Sequence, residues 1–158
     1  MTAIGKGHGA GKLILFGEHS VVYGQPAIVT GLPMGAEAEV RAVDGEVSTL
    51  RLLDGATDEL FLMTDTDESD ESVADSLRAI LGAFDGLDTA IDADVTIHIP
   101  IGAGLGSSAA FAAALARGVA DLIDDPDAVE DAVGASEAVF HGNASGVDQA
   151  AALSGGLF

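Results

Sequence analysis

Residues 93–123, "ADVTIHIPIGAGLGSSAAFAAALARGVADLI", restrict what this chain can fold into more than any other stretch. Ala93 to Ile99 reads as a strand rich in β-branched residues, which Pro100 closes. Three alternate glycines follow, Gly102, Gly104 and Gly106, and then Ser107 and Ser108 open an alanine-rich run to Ile123. Alanine is the best helix former, so the run predicts a long helix from Ser107 to Ile123. Glycines permit positive φ and close approach of the backbone to a ligand, and the free N–H groups of a helix start attract an anion. A phosphate is the natural occupant. The plainer alternative is a flexible turn with Ser107 as an ordinary N-cap. The loop is not a Walker loop, because no Gly-Lys-Ser/Thr occurs, and it is not a dinucleotide fingerprint, because Ser107 stands where the third glycine belongs. The one formal match to the looser fingerprint, Gly5 to Ala10, has no strand before it and is set aside as chance.

Further strands are expected at Lys12 to Phe16, Ala36 to Val43, Val47 to Leu53 and Leu60 to Met63, with Asp44-Gly45 as a hairpin turn. The acidic stretch Thr64 to Glu71 reads as a solvated loop. Val73, Leu77, Ile80, Leu81 and Phe84 recur at helical spacing and predict a helix over Ser72 to Phe84. Another helix should begin at Pro126, a residue suited to a first turn, and run to about Phe140. Strands first and helices later predict an α+β domain, with a sheet on one side and helices packed on the other.

Six Lys+Arg against 26 Asp+Glu give a net charge of −20, which excludes a broad basic footprint for nucleic acid or for an anionic membrane. With 48% hydrophobic residues the acidity does not signify disorder. Acids spread through every segment suggest a halophile's cytosolic protein: at ~1 M salt the Debye length is about 3 Å and such repulsion is screened. Loss of circular dichroism on desalting is the expected result; an unchanged spectrum overturns it. The absence of cysteine removes thiolate metal sites and cysteine nucleophiles. No apolar run approaches the ~18 residues of a spanning helix, and the N-terminus lacks a signal peptide's apolar core, so a cytoplasmic location is expected.

Against this background one lysine stands out. Lys12, one of only two lysines, lies at the foot of the strand in "GKLILFGEHSVVYG". Beside a transferring phosphoryl group it would stabilise charge on the oxygens. Glu18 and His19 at the strand's end would hydrogen-bond a polar substrate. In "SEAVFHGNASGVDQAAALSGG", residues 136–156, Glu137 falls late in a helix and Asp148 near a new helix start. A phosphate site needs a divalent cation, and Mg²⁺ takes one or two carboxylates, which makes Glu137 a candidate ligand. A hydroxyl attacking phosphorus needs a carboxylate base, which Asp148 can supply. Singly, each has a plainer reading: Lys12 as a surface lysine, Glu137 as one carboxylate among many, Asp148 as a helix N-terminal acid. His141, four residues after Glu137, reads as a structural turn residue, since a Glu/His pair holds too few ligands for zinc.

Taken together, three ordered segments resemble the GHMP kinase superfamily. "GKLILFGEHSVVYGQPAI" is most similar to the mevalonate kinases, "PIGAGLGSSAA" matches the nucleotide-phosphate loop, and "HGNASGVD" resembles the segment that bears the catalytic aspartate. The resemblance implies a ribosomal protein S5 domain 2-like fold, a mixed β-sheet with helices on one side. It makes Lys12 the charge-stabilising lysine and Asp148 the general base. Glu18, His19 and Ser145 line the acceptor site; Ser108 and Glu137 hold Mg²⁺; Gly102, Gly104, Leu105, Gly106, Ser107 and Ser108 wrap the ATP phosphates. The implied reaction moves the γ-phosphoryl of ATP to the 5-hydroxyl of mevalonate, in isoprenoid synthesis.

Two departures qualify this. Ala144 stands where many relatives have proline, which removes a preset φ from that turn. Relatives also carry a second domain of comparable size, so residues 1–158 are expected to be the N-terminal domain alone, with self-association through the face a second domain would cover. The alternatives are a non-catalytic nucleotide-binding half that needs a partner lobe, and another superfamily enzyme such as a mevalonate 3-kinase or a diphosphomevalonate decarboxylase. A serine hydrolase is disfavoured because no Gly-x-Ser-x-Gly elbow occurs.

Overall fold

The computed structural model describes residues 3–68, 71–142 and 146–156. Five strands, β1 (Ile4–Phe16), β2 (Ile28–Val43), β3 (Thr49–Asp54), β4 (Glu59–Thr64) and β5 (Ala90–Ile97), form one mixed sheet in the order β1-β2-β5-β3-β4. Neighbours are antiparallel except β3 and β5, which run parallel. Four helices, α1 (Glu71–Gly82), α2 (Ser107–Ile123), α3 (Val129–His141) and α4 (Val147–Ser154), complete the α+β domain.

One face of the sheet is apolar and the other charged, as strand alternation requires. Ala36, Ala38, Val40, Leu50, Leu52, Ile91, Ala93 and Val95 are buried in one core with α2, whose residues from Ala109 to Ala116 are all buried as well. The opposite face carries a ladder of ion pairs. Arg51 Nε donates to Asp94 Oδ1 at 2.5 Å, and Arg41 bridges Asp94 and Glu39 at 2.9 and 2.7 Å. The Arg51 guanidinium holds the Asp94 carboxyl below the usual carboxylate range, with Arg41 assisting and burial opposing. A depressed folded pKa contributes stability that is present above the unfolded value, about 3.9, and lost as pH falls through the folded one. With Asp94 half exposed, solvent screening limits this to under about 1 kcal/mol. Urea unfolding of Asp94→Asn should therefore show a small loss at neutral pH that shrinks as pH falls below about 4; a loss independent of pH overturns the argument.

The first strand departs most from expectation. It begins at Ile4 and absorbs the glycine-rich segment that looked like a chance fingerprint. A Cβ built on Gly5, Gly7 or Gly9 would lie 2.0, 1.9 or 2.1 Å from the carbonyl oxygens of Gly118, Ala114 and Ala110. The alternate glycines of β1 thus face every fourth residue of α2, one turn apart. Backbone packs on backbone, and these glycines serve contact rather than a ligand. Asp44-Gly45 does turn the chain but makes no hairpin, because β5 lies between β2 and β3 and takes the hydrogen bonds a hairpin would have used. Pro126 opens a single 3₁₀ turn, Pro126–Ala128, before α3 begins at Val129. The expected α2 agrees with the structure at both ends, and α1 within a residue or two. No helix among the described residues is long and apolar enough to cross a membrane.

Candidate active site

At its N-terminal end α2 meets the glycine loop. Gly102, Gly104 and Gly106 all have positive φ, 77°, 77° and 73°, a conformation L side chains rarely adopt. The helix N-cap is Gly106, not Ser107, and no side chain caps it. The ordinary N-cap reading of Ser107 is thereby corrected. The orphan N–H groups of the first turn remain open to an anion.

Lys12 lies against this loop. Its backbone N–H donates to Leu105 O at 2.8 Å, and a Cβ on Gly106 would come within 2.7 Å of Lys12 Cγ. The lysine is buried, 8% exposed, and its Nζ lies 3.1 Å from Asp148 Oδ1 on the first turn of α4. Two groups 136 residues apart in sequence thus form one ion pair at the mouth of the loop. The other five basic residues are committed elsewhere: Lys6 to Glu39, Arg41 and Arg51 to the sheet face, Arg78 to Asp75, and Arg117 to the carbonyls of His8 and Leu153. Among the described residues Lys12 is the site's sole strong cation.

Glu137, on α3, completes the arrangement. It is 2% exposed, and its Oε1 has no hydrogen-bond partner among the described residues. Burial pushes its carboxyl above the usual carboxylate range, reinforced by Asp148 and opposed by His141, Ser108 and Lys12. Donor atoms of Glu137, His141 and Asp148 lie within 4.8 Å of one another. His141 Nε2 is 3.4 Å from Ser108 Oγ, so the histidine belongs to the cluster and is not simply a turn residue. The expectation of too few ligands did not include Asp148, which α4 places beside them.

Other candidate residues stand apart. Glu18 and His19 are exposed on the turn after β1, which runs four residues, about 13 Å, past Lys12. No hydrogen bond or ion pair joins them to Lys12 or Asp148 among the described residues. Ser145 and Ala144 fall outside the described residues.

Two features escaped sequence reading. A cavity of about 370 Å³ adjoins Ser107 and Ser108, walled by Leu52, Phe61, Ile101 and Phe140 from four separate segments. Arg117 of α2 donates to His8 O at 2.7 Å and Leu153 O at 2.5 Å, tying the end of α4 to β1. Both need long-range proximity that no local pattern announces; for Arg117 the one available signal was a lone cation in an otherwise alanine-rich helix.

Residues 71–156 match the family model described as GHMP kinases N terminal domain. Among curated relatives, the mevalonate kinase of Pyrococcus abyssi is 32% identical over 162 residues, covering 92% of this chain and 48% of that protein. The Pyrococcus horikoshii mevalonate kinase is 33% identical over 160 residues with the same coverage. Among solved structures, L. major mevalonate kinase in complex with R-mevalonate superposes with a TM-score of 0.76 at 28% identity, over 99% of this chain and 48% of that one. The Methanococcus jannaschii mevalonate kinase, at 21% identity and a TM-score of 0.75, shares the fold over 99% of this chain and 52% of its own. The chain spans about half the length of the curated relatives it matches.

Proposed function

Because the chain belongs to the GHMP kinases, we propose that it forms the nucleotide-binding half of an enzyme that transfers the γ-phosphoryl of ATP to the 5-hydroxyl of mevalonate. The observation that carries this reading is the Lys12–Asp148 pair at 3.1 Å beside the uncapped N-terminus of α2. Mevalonate as acceptor rests on the named relatives; the kinase chemistry rests also on this pair.

In this reading the triphosphate lies along Gly102 to Ser108, held by the N–H groups of the loop and the first turn of α2. Its base enters the apolar cavity beside Ser107 and Ser108. Asp148 accepts the proton of the 5-hydroxyl as its oxygen bonds to the γ-phosphorus, and the bond from that phosphorus to the bridging oxygen breaks to release ADP. Lys12 favours the ionised hydroxyl and offsets charge on the transferred group. One ammonium beside two carboxylates leaves the charge of a triphosphate uncompensated, so the site calls for a divalent cation. The oxygens of Ser108 and Glu137 suit Mg²⁺, and the unpartnered Glu137 Oε1 is a donor in need of one. Held there, Mg²⁺ would offset the negative charge that develops on the transferred phosphoryl group. Glu18, His19 and Ser145 are assigned to the acceptor.

The test is ADP release in molar KCl with MgATP, offering mevalonate, galactose and homoserine in turn. Mevalonate-dependent release is expected. Release with another acceptor overturns the substrate, and none in folded protein overturns activity for this chain and leaves a nucleotide-binding half. Exposed Leu13, Leu15, Phe16, Val22 and Tyr23 around the far end of β1 favour self-association of this chain, read by gel filtration in the same salt. Elution as a monomer overturns that part alone.

A further inference from the structure

We propose that Glu137, His141 and Asp148 form a three-donor site that binds a borderline transition-metal dication, of which Zn²⁺ is the type, directly to the protein and without nucleotide. The inference shares Glu137 with the proposed Mg²⁺ site and goes beyond it in giving His141 a ligand's role and the site a metal preference.

Three observations support it. His141 and Glu137 lie four residues apart on α3, hence on one helical face, and α4 returns Asp148 to them so that one donor atom of each falls within 4.8 Å of the others. Ligands at about 2.0–2.2 Å from zinc lie roughly 3.5 Å from one another, so side-chain rotations of about 1 Å would close the set. Glu137 is 2% exposed with an oxygen that meets no donor, and a buried unpaired carboxylate is costly unless a cation or proton joins it. The nearest ammonium, Lys12, is already paired with Asp148, and a carboxylate has lone pairs enough to serve lysine and metal together.

The imidazole decides which metal. Mg²⁺ dehydrates reluctantly and takes oxygen ligands, so His141 adds little to its binding. Zinc accepts imidazole nitrogen and carboxylate oxygen alike, and Ser108 Oγ lies 3.4 Å from His141 Nε2. The donors are two carboxylates and one imidazole, with a lysine charge beside them that moderates affinity.

Calorimetric titration of the whole chain with Zn²⁺ or Mg²⁺ alone tests this, in molar KCl to screen the surface acids and with no nucleotide present. One Zn²⁺ per chain should bind at least about tenfold more tightly than Mg²⁺. His141→Gln should erase that preference and leave Mg²⁺ binding as it was, while Glu137→Gln should weaken both metals, each variant being checked for folding by circular dichroism. Co²⁺ bound to the unaltered protein should give a visible absorption band that His141→Gln shifts. Equal affinities for the two metals, or zinc binding that survives His141→Gln and so lies on His8, His19 or His98, overturns the inference. Because no phosphoryl transfer is read, a chain that phosphorylates mevalonate but fails here refutes this site and leaves the kinase reading intact.

Discussion

Gly7→Ala is expected to cost the domain more than about 4 kcal/mol, in the range where a single substitution is exceptional. The added methyl would sit 1.9 Å from the Ala114 carbonyl oxygen and 2.5 Å from the Gly118 nitrogen, both parts of the α2 backbone. A flexible side chain can swing aside, whereas a helix backbone can yield only by moving as a unit. Moving α2 away from β1 would open the contact at Gly5 and Gly9 as well and lose close packing along the whole interface. Urea denaturation in high salt measures the effect, with Gly82→Ala as the control. Gly82 closes α1 with open space around its Cβ position, so alanine there should be neutral or stabilise by about 0.5–1 kcal/mol. A Gly7→Ala midpoint within about 1 kcal/mol of the unaltered protein would falsify the backbone-on-backbone account.

If the chain phosphorylates mevalonate as proposed, Lys12→Met should lower kcat by about 10²–10³, the usual cost of removing one preorganised charge-stabilising donor. Methionine keeps most of the stem that packs on Gly106 and removes only the charge. No other basic side chain can substitute, because Lys6, Arg41, Arg51, Arg78 and Arg117 are each engaged elsewhere. The loop proposed to hold the phosphates is otherwise intact in this variant, so KM for ATP should change far less than kcat. Steady-state kinetics over a range of ATP concentrations separates the two. A change confined to KM would make Lys12 a phosphate-binding residue rather than one that acts in the transition state.

The parts of the fold that local chemistry dictates were legible. Three glycines followed by an alanine run located the loop and α2, because positive φ and high helix propensity are properties of the residues themselves. The first half of β1 was not legible, since glycine is depleted in strands and its presence there is explained only by Ala110, Ala114 and Gly118 a hundred residues away. Asp44-Gly45 shows the same limit: the turn is local, but pairing of β2 with β5 is a property of the whole sheet. At the candidate site Lys12, Glu137 and Asp148 could each be singled out by type and position. Their mutual distances could not, because how α4 packs against α3 decides whether Asp148 meets Glu137 or points away, and packing is long-range. His141's nearness to Asp148 and Ser108 was not legible for the same reason.

The contact between β1 and α2 also bears on how this chain can tolerate change. Most strand–helix contacts are set by interlocking side chains, and a substitution on one side can be absorbed by a new rotamer on the other. Between Gly5, Gly7, Gly9 and Ala110, Ala114, Gly118 there are no rotamers to adjust. The spacing is fixed by main-chain van der Waals radii alone, and at one and the same end of this contact the strand carries Lys12 and the helix carries Ser108. Drift elsewhere in the core therefore has little leverage on the separation of these two residues. The strand and helix act as a gauge block, and the sequence is free to vary around it only while these small residues remain.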